Sequence, residues 1–315
     1  MKLAETVTFG GSDLNRASEL RGKEAGRPNP GDQAIVLWQG KILVDKSYVP
    51  CLKRVDVLHK AVEKGRWVFL GLEEFGKTFG FDISHWKPEK DQNPDSSIFY
   101  DLTEQIHPDF PNTAFRELRG QMGILTPRDA ELSAMAKALF HWHDSHKFCS
   151  RCGIESEMTM SGWQRICPAC KASHFPRTDP VVIMLITQGP KVLLGRSPQW
   201  PERMYSLLAG FIEPGETIEA AVRREVFEES GIKVGPVSYL SSQPWAFPNS
   251  LMFGCHGEAL STDIKLDPDE LEDALWISKT ELVEAFNNKN SVIKPARFGS
   301  IAQFLLKHWL ADSLG

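Results

Sequence analysis

Gly210-Phe211-Ile212-Glu213-Pro214-Gly215-Glu216-Thr217-Ile218-Glu219-Ala220-Ala221-Val222-Arg223-Arg224-Glu225-Val226-Phe227-Glu228-Glu229-Ser230-Gly231-Ile232 reads as a glycine-bearing loop followed by a helix over 217–230 that stops at Gly231. Glu225, Glu228 and Glu229 stand at i, i+3 and i+4, so their carboxylates share one face, where each like-charge pair costs about 0.2–0.5 kcal/mol. They also lie in the last turns, where the helix dipole disfavours each acid by about 0.3–1 kcal/mol. A divalent cation reverses both penalties, and hard oxygen ligands of this kind suit Mg2+ or Mn2+. Glu229 is the leading ligand, with Glu225 beside it and Glu228 in support. Such an array can neutralise a diphosphate and activate a water for phosphoanhydride hydrolysis. The three glutamates alone leave an ordinary solvated acidic helix open as the alternative. Glu216 and Arg224 can pair across the loop–helix junction, and Gly210 and Gly215 permit a tight loop.

Upstream, Cys149-x-x-Cys152 and Cys167-x-x-Cys170 have a spacing close to that of a four-cysteine zinc site. Four protein thiolates fill a tetrahedral Zn2+ shell and leave no position for substrate, so this ion is expected to be structural. Two disulfides, or a ribbon that binds nucleic acid, are the other readings; Glu155 and Glu157 offset Lys147, Arg151, Arg165 and Lys171, so no basic groove is evident. Cys51 and Cys255 stand alone and are expected to be buried apolar residues.

The 315 residues allow two or three domains, and 42% hydrophobic content is ordinary for a globular chain. A formal charge of −5 supplies no global field for nucleic acid or anionic membrane. No signal-like apolar run opens the chain and no stretch reaches the roughly 18 apolar residues of a membrane span, so a cytoplasmic address and no membrane partner are expected. Residues 1–30 read as a polar arm. Residues 34–45 read as two strands meeting at Gln39-Gly40, with further strand-like pieces at 66–70 and 97–102 and a polar loop over 87–97. Thr126-Pro127 with Asp129 starts a helix by capping. Strands are expected at 181–187 and 191–194 around Gly189-Pro190, and a last amphipathic helix at 300–310. No glycine fingerprint opens a βαβ unit, which argues against a Rossmann dehydrogenase.

The segment from Gly210 to Ile232 resembles the Nudix box at every fixed position, and Ser242-Gln243-Pro244-Trp245-Ala246-Phe247-Pro248-Asn249-Ser250 resembles the signature of NADH pyrophosphatases within that superfamily. The ribbon directly before the domain agrees with both, and the likeness is specific from about Phe115 onward. It implies an α/β (α+β) fold: a Nudix α/β/α sandwich with a mixed sheet over 177–315, a zinc ribbon over 145–176, and a degenerate Nudix-like domain over 31–144.

The resemblance also implies roles. Hydrolysis of NAD(H) to AMP and nicotinamide mononucleotide is expected, with NAD-cap removal from RNA permitted. The Ala209 carbonyl joins the Mg2+ or Mn2+ shell, and Glu270 in Asp267-Pro268-Asp269-Glu270 is a further ligand or the base that activates water. Phe175 and Phe211 are stacking rings, Ala302 lines the site, and Arg119 is a phosphate contact whose alignment requires a gap. The nine-residue signature, Gln243 through Asn249 and Ser250 included, offers flat rings and hydrogen bonds to a nucleoside. Taken alone, Trp245 and Phe247 read equally well as core aromatics. A homodimer is expected. The other readings are hydrolysis of another nucleoside diphosphate derivative such as ADP-ribose, and a non-catalytic zinc-ribbon protein that binds RNA.

Overall fold

The computed structural model describes residues 3–50, 52–56, 58, 65–88, 101, 103–294 and 296–314. Cys51, the strand-like piece at 97–102 apart from Asp101, and most of the polar loop at 87–97 lie outside the described residues. The chain divides into two compact units, one of residues 1–10, 179–244 and 250–315, the other of residues 11–178 and 245–249.

In the second unit β1 (Gln33–Trp38) and β2 (Lys41–Asp45) form a hairpin whose turn holds Gln39 and Gly40 at φ 48° and 73°. With β3 (Lys53–Arg54), β4 (Arg66–Glu73), β5 (Gly76–Asp82) and β6 (Thr113–Glu117) they give the order β4-β5-β1-β2-β6, with β3 beside β1. Only the β1–β5 pair is parallel among the registers described for this sheet. One face carries Ala34, Val36, Trp38, Phe69, Phe79, Phe81 and Phe115. After a short turn of helix, α1 (Leu118–Gln121), α2 (Pro127–Ser145) crosses close to Gly80, where a β-carbon would sit 2.9 Å from that of Ala136. The Thr126 cap accepts from the Asp129 amide at 3.2 Å, the bond that the sequence implies. The ribbon follows as β7 (Glu157–Thr159), β8 (Gln164–Ile166) and β9 (Ser173–His174).

The first unit repeats the same plan. Strands β10 (Asp179–Gln188), β11 (Lys191–Arg196), β12 (Leu208–Phe211), β13 (Val234–Trp245), β14 (Ser250–Ala259) and β15 (Asp273–Ser278) take the order β13-β14-β10-β11-β15, with β12 beside β10. Again the first and fifth strands pair in parallel, Val182 opposite Phe253. The period of two along β10 sorts its side chains between two cores. Val182, Met184 and Ile186 meet Ala221, Val222 and Val226 of α3 (Ile218–Ser230). Ile183 and Leu185 meet Leu282 of α4 (Lys279–Phe286) and Ile301, Leu305 and Leu306 of α5 (Ile301–Leu310). The sheet is thus covered by helices on both faces, the α/β/α arrangement expected. Between β12 and β13 lies α3; the matching stretch of the other unit, residues 55–65, carries only Asp56 and Glu63 as acids.

The opening residues do not form a bare arm: Val7 and Phe9 are buried in the first unit and Ala17 in the second, because apolar residues spaced through a polar stretch still find cores.

Candidate active site and zinc centre

Helix α3 begins at Thr217, whose hydroxyl accepts from the Ala220 amide at 3.2 Å, and ends at Gly231 with φ 69°. Its last carbonyls would be left without intrahelical partners. The following loop supplies them: the Lys265 amide donates to the Ser230 carbonyl at 2.8 Å and the Asp267 amide to that of Glu229 at 3.2 Å. The same loop then turns, with the Leu271 amide donating to the Asp267 carbonyl at 2.9 Å, and so carries Glu270 to the glutamate face of the helix. Carboxylate oxygens of Glu225, Glu229 and Glu270 all lie within 4.8 Å of one another.

These three face a cavity of about 570 Å³, together with Ala209, Gly210, Phe211, Arg224 and Glu228. Burial, and then the charges of Glu225, Glu270 and Glu228, push the Glu229 carboxyl up to about 8. Burial also raises Glu225, against the pull of Arg224. A cation is what such a group lacks. Arg224 answers Glu225 and does not figure among the groups that act on Glu229, because its donors are spent on other carboxylates. Its Nε and Nη2 donate to the two oxygens of Glu216 at 2.7 and 2.8 Å, and Nη1 donates to Glu225 and to Glu228, each at 2.9 Å. A further Nη2 bond reaches the Phe211 carbonyl at 2.9 Å, so the arginine ties helix to loop. Arg224 holds the Glu216 carboxyl down at about 2.

The structure thus brings together Glu225, Glu228, Glu229, Glu270, Ala209 and Phe211. Glu228 is held by Arg224 and stands apart from the three-carboxylate group. Phe211 is 59% exposed and leaves its ring open to a partner. Ser197 and Trp200 also line the cavity, and sequence reading passed over both. Neither stands in a motif; a loop between two strands was the sole signal.

The remaining expected residues fall in two groups. Ala302, Gln243, Pro244 and Ser250 belong to the first unit, and Arg119, Phe175 and Trp245 to Asn249 to the second. Ala302 lies in the first turn of α5 and is buried. Gln243 is fully buried, and its amide is spent on backbone: Nε2 donates to the carbonyls of Thr8 and Gly299 at 3.0 and 2.9 Å, and Oε1 accepts from the Ile301 amide at 2.8 Å. Ser250 opens β14 opposite Asp179. In the second unit Trp245 and Phe247 meet edge to face with centroids 4.9 Å apart, and the Arg119 guanidinium lies 4.6 Å from the Phe247 centroid. Asn249 donates to the Arg177 carbonyl at 3.0 Å, Ala246 is buried, and Phe175 is exposed.

The four ribbon cysteines place their sulfurs within 4.8 Å of one another, with Cys149 and Cys170 at 3.6 Å and Cys152 and Cys167 at 3.4 Å. Disulfides have sulfurs about 2.05 Å apart, so none is present here. A zinc–sulfur bond of about 2.3 Å in a tetrahedron separates sulfurs by about 3.8 Å, which this cluster fits. His174 Nε2 lies 3.3 Å from the Cys149 sulfur, an outer partner that the spacing of cysteines does not disclose.

A loop–helix carrying clustered glutamates out of a mixed sheet with helices on both faces defines a Nudix domain. Residues 176–296 match the NUDIX domain family, residues 144–175 the NADH pyrophosphatase zinc ribbon domain, and residues 31–142 the NADH pyrophosphatase-like rudimentary NUDIX domain. The NAD-capped RNA hydrolase NudC of Stutzerimonas stutzeri is 39% identical over 207 residues, 66% of this chain and 71% of that protein. The NAD-capped RNA hydrolase NUDT12 of Homo sapiens is 44% identical over 199 residues, 59% of this chain and 43% of that protein. The mitochondrial NAD(P)H pyrophosphatase NUDT13 of Homo sapiens is 42% identical over 179 residues, 56% of this chain and 51% of that protein. The chain belongs to the NADH pyrophosphatase family of Nudix hydrolases. It matches less than half the length of NUDT12 and about half that of NUDT13.

Proposed function

We propose that this protein hydrolyses the diphosphate of NAD(H) to AMP and nicotinamide mononucleotide, using Mg2+ or Mn2+, and that it also removes NAD caps from RNA. The carrying observation is the group of Glu225, Glu229 and Glu270, whose buried member Glu229 is held far above the usual carboxylate range by burial and by the neighbouring carboxylates. These three would hold the metal, with the Ala209 carbonyl beside them. When bound, a divalent ion there neutralises the diphosphate and lowers the pKa of a coordinated water.

The chain's own groups do the rest. Arg224 fixes the loop and Glu228 relative to the helix, and Glu270, brought in by a separate loop, would serve either as the further ligand or as the base that takes a proton from the attacking water. Phe211 and Trp200 offer flat faces to a base or nicotinamide ring. Arg119, Phe175, Ala302 and the signature residues stand in this reading as the further substrate surface, with Gln243 acting through backbone. The names of the relatives, which act on NAD-capped RNA and NAD(P)H, support the substrate class. A homodimer and a cytoplasmic location complete the reading; no described helix is long and apolar enough to cross a membrane.

Purified protein given Mn2+ and offered NADH, NAD+, ADP-ribose and NAD-capped RNA in parallel tests it. Release of AMP from NADH, lost in Glu229→Gln, is expected. Faster cleavage of ADP-ribose than of any dinucleotide, or unchanged turnover in the variant, would overturn the assignment.

A further inference from the structure

Two rims of the acidic cavity come from loops, and the Arg196 side chain reaches both. The loop over 197–206, between β11 and β12, carries Ser197 and Trp200; the turn over 267–272 carries Glu270 and Leu271. Neither rim is held by a regular ladder across its full length. Gly195 and Ser206 exchange backbone bonds at 2.9 and 3.0 Å, which closes the base of the first loop, and the Lys294 amide donates to the Arg203 carbonyl at 2.8 Å on its return; among the described residues no strand pairs with the tip over 197–202. Arg196 stands at the end of β11, between the two.

Its carbonyl accepts from the Glu272 amide at 2.8 Å, its Nε donates to Glu272 Oε2 at 3.1 Å, and its Nη1 donates to the Pro201 carbonyl. The guanidinium therefore holds one loop next to Trp200 and the other two residues from Glu270. Diverging donors on one rigid plane are what this demands, and a lysine ammonium on a flexible stem cannot serve both directions with fixed geometry. Arg196 keeps only 13% of its side chain exposed, whereas Glu272 keeps 50%. An ion pair with one member so exposed contributes little to global stability. Its consequence is local: the separation of the two rims.

We propose that Arg196 is a positioning residue that sets the distance between the Trp200 rim and the Glu270 turn, and through it both metal affinity and substrate affinity. The inference rests on the reading of the cavity as a metal and diphosphate site. Tyr205, whose hydroxyl donates to Asp273, ties down the return of the same loop but does not touch its tip.

The test is Mn2+ binding followed by electron paramagnetic resonance without substrate, beside steady-state kinetics with NADH, for Arg196→Gln, Arg196→Lys and Glu272→Ala. Outer partners of metal ligands are worth about tenfold to a hundredfold in affinity or activity. Arg196→Gln is expected to weaken Mn2+ binding about tenfold and to raise KM more than it lowers kcat, with Arg196→Lys recovering only part. Glu272→Ala is expected to reproduce the Mn2+ loss, and the double variant to be no worse than Arg196→Gln, because both cut one strut. Unchanged Mn2+ affinity in Glu272→Ala and in any folded Arg196 variant would overturn the proposal. Wild-type protein that binds Mn2+ but ignores NADH would instead overturn the substrate reading and leave the strut to the resonance titration.

Discussion

Gly210 and Glu225 occupy each other's space: a β-carbon built on Gly210 falls inside the carboxyl group of Glu225. The glycine at the end of β12 is therefore required by proximity and not by a turn, since its φ is ordinary for any residue. Strand and helix approach so closely that the Glu225 carboxylate lies directly over the backbone next to Ala209.

Gly210→Ala follows from this contact. Overpacking costs about 1–3 kcal/mol, and here the far end of Glu225 is the atom group that must yield. The expected result is a folded protein whose melting temperature drops by a few degrees and whose NADH turnover falls about a hundredfold, as a misplaced catalytic group produces. Circular dichroism and kinetics on one preparation check it. Full activity in the alanine variant would show that Glu225 has room to move without consequence.

Glu229 gives a pH prediction whose sign is fixed. Its carboxyl stands at about 8 in the fold, raised by burial and then by Glu225, Glu270 and Glu228. In an unfolded chain a glutamate titrates near 4.3. Between those values the folded protein holds a proton that the unfolded chain has released. The group's stabilisation is accordingly complete below about pH 4.3 and is lost as the pH rises through about 8. In buffer free of magnesium and manganese, Glu229→Gln should melt higher than wild type at pH 8.5 and alike near pH 4. Added Mn2+ should raise the wild-type melting temperature more at pH 8.5 than at pH 6, where protons compete for the ligand. Parallel pH slopes for the two proteins in the metal-free series would contradict this.

How much of this was legible beforehand depended on whether the cause was local. The helix with Glu225, Glu228 and Glu229, its Thr217 and Gly231 ends, the Thr126 cap and the Gln39-Gly40 turn are all decided within a few residues, and each is where the sequence indicated. The Glu216–Arg224 pair spans one loop and was also readable. The repeat of one sheet plan in both units was legible through the resemblance, which implied a degenerate Nudix-like domain over 31–144, and not through a fixed period, because topology is conserved in strand order and not in residue type. Strands β13 and β14 were hidden, their pattern masked by prolines and polar residues of the signature. Trp200 and Ser197 reach the cavity only because Gly195 and Ser206 close their loop, and Arg196 bridges rims far apart in the chain. The Arg196–Glu272 pair spans 76 residues, outside any local window of sequence.

The zinc ribbon should carry its unit's stability through one ion. Cys167 is fully buried and Cys149 nearly so, and the knuckles surround their sulfurs with backbone amides, among them that of Cys170 at 3.5 Å. Replacing Cys167 with serine removes a thiolate that serine's hydroxyl does not replace. Zinc measured by plasma mass spectrometry should fall from one per chain toward zero. Structural zinc sites contribute several kcal/mol or more, so unfolding should begin about 10 °C lower or more. A Cys167→Ser protein with full zinc would mean that His174, 3.3 Å from Cys149, has taken over as the fourth ligand, a substitution that Cys167→Ser/His174→Ala would then abolish.

Gln243 offers the last test, because its surroundings give a signature residue a task unlike base recognition. The amide is fully buried and joins three backbone segments: Thr8 from the start of the chain, Gly299, and Ile301 at the head of α5. The Ile301 amide is one of the helix's unpaired first-turn donors, and the Ser300 hydroxyl already takes that of Gln303 at 3.2 Å. A side chain with both a carbonyl and an NH2 is required, since one acceptor and two donors are used at once. Gln243→Leu leaves two carbonyls and one amide buried without partners, at about 1–3 kcal/mol for each group that water does not reach. Gln243→Glu keeps the acceptor for Ile301 but faces two carbonyls with a negative charge. Both should melt lower than wild type by about 5 °C or more, the glutamate variant recovering at low pH as its carboxyl takes up a proton and can donate again. Deleting residues 1–8 should lower stability less than either substitution, because Gly299 and Ile301 remain bonded while, among the described residues, Val7 is the one buried side chain removed. If instead both substitutions melt with wild type and only KM for NADH rises, the amide serves substrate directly and the backbone contacts are incidental.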